Sequence, residues 1–211
     1  MKQEKTLQEN VIQNLESSFY SAEEQTALAQ YRSETKKETL ANEVVQTLSC
    51  SLDTANEFVA LGLDKYTFIA LKLLPLLLVA WSDGDVAKTE AKVIVDFAKE
   101  SAGVSSSENQ QVPIKFDHWL TQSPSPDALE HWKTMIEQLR ECCSPIIFTS
   151  LLKEIRSGSK KVGTSDGGFL GLGSISSEEL SILDEIDAFL KSKEKIIQND
   201  QLSVEYLKRP W

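Results

Sequence analysis

The sequence is poor in the residues that carry most thiol and zinc chemistry. It has three cysteines and two histidines among 211 residues. The cysteines are Cys50 and the adjacent pair Cys142–Cys143, so there is no Cys-x-x-Cys motif, and His118 and His131 do not complete a zinc pattern. An odd number of cysteines without framework spacing excludes a disulfide-stapled scaffold and is typical of a reducing cytosol.

The sequence also has fewer basic than acidic residues. Lys and Arg total 22 against 32 Asp and Glu, which gives a formal net charge of -10. A protein that binds a nucleic-acid duplex needs a basic face to displace counterions from phosphate. We therefore expect no nucleic-acid partner, and the charge favours cations or basic partners instead.

Long apolar runs are missing as well. The single membrane candidate, Phe68–Trp81, is shorter than the about 20 residues that a span requires, and Lys72 and Pro75 interrupt it. The first thirty residues lack the apolar core of a signal peptide. We predict a cytoplasmic protein that is not transmembrane, in which this run forms a buried central helix.

Alternating polar and apolar residues do not extend far enough to predict a sheet, whereas helical spacing recurs along most of the chain. The sequence predicts an all-α fold with a helical N-terminal extension over 1–36, a helical domain over 37–192 and a C-terminal tail over 193–211. Individual predictions are a helix over Lys37–Leu61, a helix capped by Asp64 with a kink at Pro75, helix starts at Ser125–Pro126 and Ser144–Pro145, a glycine-rich loop over Ser157–Gly173, and a last helix from Ser177 to about Lys191.

Two helix starts in the sequence are related. Asp83-Gly84-Asp85-Val86-Ala87-Lys88-Thr89-Glu90 leads into one apolar pattern, and Gly173-Ser174-Ile175-Ser176-Ser177-Glu178-Glu179 leads into another. Their alignment pairs Gly84 with Gly173 and Glu90 with Glu179. We refer to these segments as the first and second corners, and their likeness suggests two related halves.

The glutamate of each corner lies on the apolar side of its helix. At about 100° per residue, Val86, Ile94 and Phe97 fall within roughly 40° of Glu90. The same relation holds around Glu179. A carboxylate that faces a core costs several kcal/mol unless a partner compensates it, so we expect each glutamate to have one.

Two kinds of partner could compensate the buried glutamates. Ser176 and Glu179 form the S-x-x-E pattern of a capping box, whereas Ala87 leaves the box at Glu90 incomplete, although Glu90 can still accept a bond from a free helix N–H. The other partner is a hard cation, because Asp83, Asp85 and Glu90 surround a glycine turn and calcium or magnesium prefers oxygen ligands.

The stretch LLPLLLVAWSDGDVAKTE and the later GGFLGLGSISSEE resemble the tellurite-resistance TerB-like family over residues 60–190. The shared elements are an apolar helix that ends in Ala-x-x-Asp-Gly and a Glu six residues after the Gly, here Ala80, Asp83, Gly84 and Glu90. Two positions differ, because Ala87 replaces a capping residue and Leu172 stands where the first corner has Asp83.

The resemblance implies a compact multi-helix domain with two weakly related halves and an acidic, calcium-binding patch, associated with stress responses and membrane-linked complexes. The expected ligands of Ca²⁺ or Mg²⁺ are Asp83 and Glu90, then Asp85, with Asp166 and Glu179 as further contributors. Gly84 shapes the turn.

The sequence predicts no enzyme. Gly168–Gly173 lacks the Lys-Ser/Thr ending of a phosphate-binding P-loop, and no nucleophile motif accompanies the histidines. We expect a non-enzymatic, cation-binding module that modulates an unidentified protein partner. The alternative is a metal-free scaffold that contacts its partner through the glycine-rich loop or the N-terminal helix.

Overall fold

The computed structural model describes the backbone of residues 2–101, 116–165 and 175–207, and the side chains of 9–101, 118–165 and 175–196. All regular secondary structure in these ranges is α-helical, which confirms the predicted all-α fold. The helices are α1 (Lys2–Phe19), α2 (Ala22–Glu34), α3 (Lys37–Leu48), α4 (Leu52–Ala60), α5 (Lys65–Ala80), α6 (Lys88–Ser101), α7 (Phe116–Thr121), α8 (Ala128–Cys142), α9 (Pro145–Gly163) and α10 (Ser177–Leu207).

Helix α5 is the centre of the fold. Fourteen of its 16 residues are buried, and α1, α3, α6, α8, α9 and α10 all pack against it. It begins as predicted at Asp64, whose carboxylate accepts bonds from the N–H groups of Tyr66 and Thr67 at 2.9 and 3.1 Å. The helix runs on through Pro75 to Ala80. No helix in the described ranges combines the length and hydropathy needed to cross a bilayer.

A lysine lies inside this apolar helix. Lys72 is 1% exposed, and its Nζ donates to the Thr47 carbonyl oxygen and to Glu154 Oε1, at 3.0 Å each. These two acceptors compensate the buried ammonium group. They also tie α5 to the end of α3 and to α9.

Helix α1 packs against α5 and α8. Leu15 and Phe19 are buried, and Ser18 Oγ lies 2.7 Å from His131 Nδ1 on α8. Next to this contact, the fully buried Trp132 donates its indole N–H to the Leu71 carbonyl oxygen at 2.9 Å. The first helix of the predicted N-terminal extension therefore contributes to the same core as α5, while the domain boundaries stay predictions.

The predicted helix over Lys37–Leu61 is wrong as a single element. It is broken between α3 and α4, where Ser49 adopts a left-handed conformation (φ 51°) and Ser51 caps α4 by accepting a bond from the Thr54 N–H. The apolar spacing persists across the break because both helices face α5 or each other. Periodicity alone does not reveal a short turn that preserves the apolar face.

Three other predicted boundaries also shift. Helix α8 begins at Ala128 rather than at Pro126, because Ser125–Asp127 form a turn in which the Ala128 N–H donates to the Ser125 carbonyl oxygen. Helix α9 starts as predicted after Ser144 but continues through Gly158 to Gly163, so the glycine-rich loop does not start at Ser157. The remainder of that loop, 166–173, lies outside the described residues. Helix α10 runs to Leu207, well beyond Lys191.

The glycine at 158 serves helix packing rather than a turn. A Cβ built at Gly158 would lie 2.8 Å from Phe97 Cε2 on α6 and 3.2 Å from Leu76 Cδ1 on α5. Its bare backbone lets α6 and α5 approach α9 closely. This contact helps to place α6, and with it Glu90, against the core.

Candidate functional site: a pair of buried glutamates

The first corner follows α5. Gly84 has φ of 97°, which favours glycine, and its N–H donates to the Trp81 carbonyl oxygen at 3.0 Å. Asp83 Oδ1 accepts from the Asp85 N–H at 3.2 Å, and Asp85 Oδ1 accepts from the Val86 N–H at 2.9 Å. Both aspartates are exposed, and each uses a carboxylate oxygen to hold the turn.

The second corner begins α10 and contains the predicted capping box. The Glu179 N–H donates to Ser176 Oγ at 3.0 Å, and the Ser176 N–H donates to Glu179 Oε2 at 2.7 Å. This arrangement satisfies two N–H groups at the start of the helix. It also holds the Glu179 side chain back over the first turn, where the residue is 6% exposed.

Glu90 repeats half of this geometry at the first corner. Its Oε2 accepts a bond from the Ala87 N–H at 2.8 Å, as Glu179 Oε2 does from Ser176. Ala87 has no hydroxyl to return the bond. The predicted incomplete box is confirmed, and the likeness of the two corners extends from sequence to side-chain conformation.

The two glutamates meet inside the protein. Glu90 is 3% exposed and Glu179 is 6% exposed, and the Glu179 carboxyl group is near enough to raise the pKa of Glu90. Glu90 Oε1 is buried and receives no hydrogen bond from a protein donor. Two ionised carboxylates can only accept hydrogen bonds and repel each other at short range, so a shared proton or a cation would stabilise this arrangement. We call these two residues the Glu90–Glu179 pair.

The electrostatics of the pair follow from its position. Burial raises the pKa of Glu90, the Ala87 N–H opposes that rise, and the Glu179 carboxyl and the Asp83 charge add to it, which brings the pKa from its ordinary 4.5 to about 7. Near neutral pH the folded protein therefore holds Glu90 partly protonated. A cation that binds both carboxylates would have to displace this proton.

The expected site residues thus divide into three groups. Glu90 and Glu179 come together, and Asp83 is close enough for its charge to act on Glu90. Asp85 is exposed and turned to the Val86 N–H, and Asp166 lies outside the described residues. Among the described side chains, no three His, Cys, Asp or Glu residues form a group with the geometry of a metal site.

The structure also contains a second buried ionic cluster, which was not predicted from the sequence. Arg32 on α2 forms a bidentate pair with Glu16 on α1 at 2.9 and 2.7 Å, and its Nε donates to Asp64 Oδ2 at 2.6 Å. Thr67 Oγ1 also donates to Glu16, at 2.7 Å. We call these four residues the Arg32 cluster. Only the capping role of Asp64 was visible in the sequence, because the other members are far apart along the chain.

Beside the corners lies an open groove of about 600 Å³. The end of α5 and the residues that follow it contribute Leu78, Trp81 and Ser82 to its wall, and the second corner contributes Ser177 and Glu178. The groove therefore lies between the end of α5 and the second corner, and it includes the chain neighbour of Glu179.

Comparison of the chain with protein-family models, with curated proteins and with solved structures gave no match.

Proposed function

We propose that this protein is a non-enzymatic helical module of the TerB-like kind, in which the Glu90–Glu179 pair binds Ca²⁺ or Mg²⁺ and the bound cation modulates a protein interaction. One observation carries the proposal. Glu90 Oε1 is buried, has no donor, and a second buried carboxyl group, that of Glu179, is near enough to raise the pKa of Glu90. Like charges at such close range in a poorly solvated place are unfavourable unless a positive species joins them.

The chemistry of the donors favours a hard cation over a soft one. The pair offers carboxylate oxygens, which Ca²⁺ and Mg²⁺ prefer, and Asp83 is a further carboxylate whose charge acts on Glu90. Either ion would complete its coordination with water or backbone carbonyl oxygens, since calcium takes about six to eight ligands. Asp85 contributes to the charge of the corner.

The alternative is a metal-free scaffold in which the pair shares a proton. The pKa of about 7 for Glu90 and the effect of the nearby Glu179 carboxyl on it support this alternative specifically. In that case the partner would contact the glycine-rich loop or the N-terminal helix rather than respond to a cation.

The cellular setting of the proposal comes from the TerB-like resemblance and from composition. We propose a cytoplasmic protein that acts in a stress response, in association with a membrane-linked complex. The net charge of -10 supports a protein partner over a nucleic acid.

Isothermal calorimetry and thermal unfolding with CaCl₂, MgCl₂ or a chelator test the cation. If the pair is the site, either ion at tenfold excess over its dissociation constant is expected to add about 1.4 kcal/mol to the free energy of unfolding. The double variant Glu90→Ala with Asp83→Ala, and the single variant Glu90→Gln, are expected to lose both the heat of binding and the stabilisation.

Glu178→Gln is the matched control, because Glu178 is an exposed carboxylate adjacent to Glu179 and bonds only to Ser177 Oγ among the contacts described. It should bind the ion as the wild type does. A wild type that shows no heat of binding and no cation-dependent stability favours the metal-free scaffold. Binding that survives in the double variant would place the site elsewhere.

A further inference from the structure

The groove beside the corners has an apolar floor. Leu78 and Trp81 come from the end of α5, Leu129 from α8 and Ile182 from α10, and each is half-buried. Pro124 and Pro126 stand beside them. The end of α5 and the first turns of α8 and α10 thus contribute partly exposed apolar side chains to one open groove. Exposed apolar rows bordered by polar residues are typical of interaction surfaces.

Carboxylates border this floor. Glu178 lines the groove and is exposed. Asp83, Asp127 and Glu130 are exposed and are the immediate chain neighbours of Ser82, Pro126 and Leu129, which also line it. Among the described residues that line the groove, Glu178 is charged and there is no Lys or Arg, so the lining is acidic.

The nearby lysine on α8 does not offset this acidity. Lys133 Nζ bonds to Glu130 Oε1 at 2.8 Å and to Glu185 Oε1 at 2.7 Å. Its one positive charge is shared by these two glutamates, so it also compensates part of the Glu130 charge and leaves the three side chains with a net negative charge. The border of the groove thus remains complementary to a positively charged partner.

The shape of the groove favours a segment of protein over a small molecule. It is open rather than enclosed, whereas small-ligand pockets bury most of the ligand surface. Its volume of about 600 Å³ is spread over the ends of α5, α8 and α10. An amphipathic helix binds such a groove through apolar residues at i, i+3, i+4 and i+7.

We infer that this groove binds a basic amphipathic helix of a partner protein, with apolar side chains on Leu78, Trp81, Leu129 and Ile182 and with Lys or Arg against the acidic border. The inference rests on the proposed function in that it names the class of partner that the module engages. Since Glu178 lines the groove and is the chain neighbour of Glu179, a cation at the Glu90–Glu179 pair would act next to this surface.

The test uses the full chain and a synthetic amphipathic peptide of Leu and Lys in helical spacing, about 18 residues long so that it spans several turns. The expected result is binding by calorimetry together with a shift in tryptophan fluorescence. Ile182→Glu and Leu129→Glu are each expected to weaken binding at least tenfold, and Glu178→Lys several-fold. Trp81→Phe should remove most of the fluorescence shift but keep the calorimetric binding.

Two controls isolate the groove and its charge. Leu180 is 45% exposed on α10 and lies roughly 200° around the helix from Ile182, so Leu180→Glu adds the same charge on another face and should leave binding unchanged. The same peptide with Glu in place of Lys is expected not to bind. Far-UV circular dichroism establishes that each variant is folded. Glu178→Lys changes an exposed residue, so it tests the groove without substituting any of the apolar residues of its floor.

Three results would overturn the inference: peptide binding that is insensitive to both Ile182→Glu and Glu178→Lys, equal binding of the Glu peptide, or a homodimer that Ile182→Glu converts to a monomer. Cation binding without peptide binding in the groove would overturn this inference alone. Peptide binding in the groove by a protein that binds neither Ca²⁺ nor Mg²⁺ would instead overturn the cation proposal alone.

Discussion

Arg32→Met is expected to lower the free energy of unfolding by about 3–5 kcal/mol, the largest effect that we predict for a single substitution. Arg32 joins Glu16 and Asp64, whose side chains are 9% and 5% exposed. Methionine keeps much of the length and apolar stem of arginine but removes the charge. Two carboxylates would then stay buried without a cation.

The arginine remains charged in the native protein despite its partial burial. Burial lowers the pKa of Arg32, but the hydrogen bonds to Glu16 and Asp64 outweigh burial and hold that pKa above its ordinary value. The planar guanidinium group suits this position, because it binds one carboxylate through two parallel bonds and reaches a second. Arg32→Lys is therefore expected to recover only part of the stability.

Urea unfolding followed by circular dichroism measures the effect. Adding Glu16→Gln to Arg32→Met should restore about 1–2 kcal/mol, since it removes one of the two unpaired charges. Arg140→Met, at a half-buried position on α8, is the control and should change stability by less than about 0.5 kcal/mol. A loss below about 1 kcal/mol in Arg32→Met would show that solvent compensates the two carboxylates.

Glu90→Gln is expected to stabilise the protein by about 3 kcal/mol near pH 8 and to have little effect near pH 4.5, in the absence of added cations. Burial raises the pKa of Glu90 to about 7 in the folded state, whereas the unfolded chain releases this proton near the ordinary value of 4.5. Between these values the folded state binds the extra proton. The free energy of unfolding of the wild type therefore falls as pH rises through this window, by at most about 1.4 kcal/mol per pH unit.

Glutamine removes this dependence without removing the local bond. Its side-chain oxygen can accept from the Ala87 N–H as Glu90 Oε2 does, and its amide can donate to the Glu179 carboxylate. The measurement is urea unfolding of wild type and variant from about pH 4.5 to pH 8, with a chelator present. The difference between the two profiles isolates Glu90 from the other titrating groups.

Asp85→Asn is the control for this experiment, because Asp85 is exposed and belongs to the same corner. Its profile should run parallel to that of the wild type. If Glu90→Gln instead destabilises the protein equally at all pH values, then Glu90 is fully ionised in the folded state. The shared-proton description of the Glu90–Glu179 pair would then be wrong.

Much of the helical architecture could be predicted from local patterns. The caps at Asp64, Ser144 and Ser176 were visible because a side-chain oxygen and the N–H groups that it accepts from lie within about three residues of each other. The burial of Glu90 and Glu179 was also predictable, because each lies in the apolar stripe of its own helix. Where the prediction was wrong, as at Ser49, a short turn interrupts the helix without interrupting the apolar face.

The sequence by itself therefore determined the helical class, the starts of α5, α9 and α10 and the inward direction of both glutamates, since these depend on the spacing of neighbouring residues. Only the tertiary structure decided that Glu90 faces Glu179 and that Arg32 binds both Glu16 and Asp64. Such partners are set by the angles and offsets at which helices pack, and residues far apart along the chain carry no local signal of them. The same packing brings the ends of α5, α8 and α10 together into the groove beside the glutamate pair.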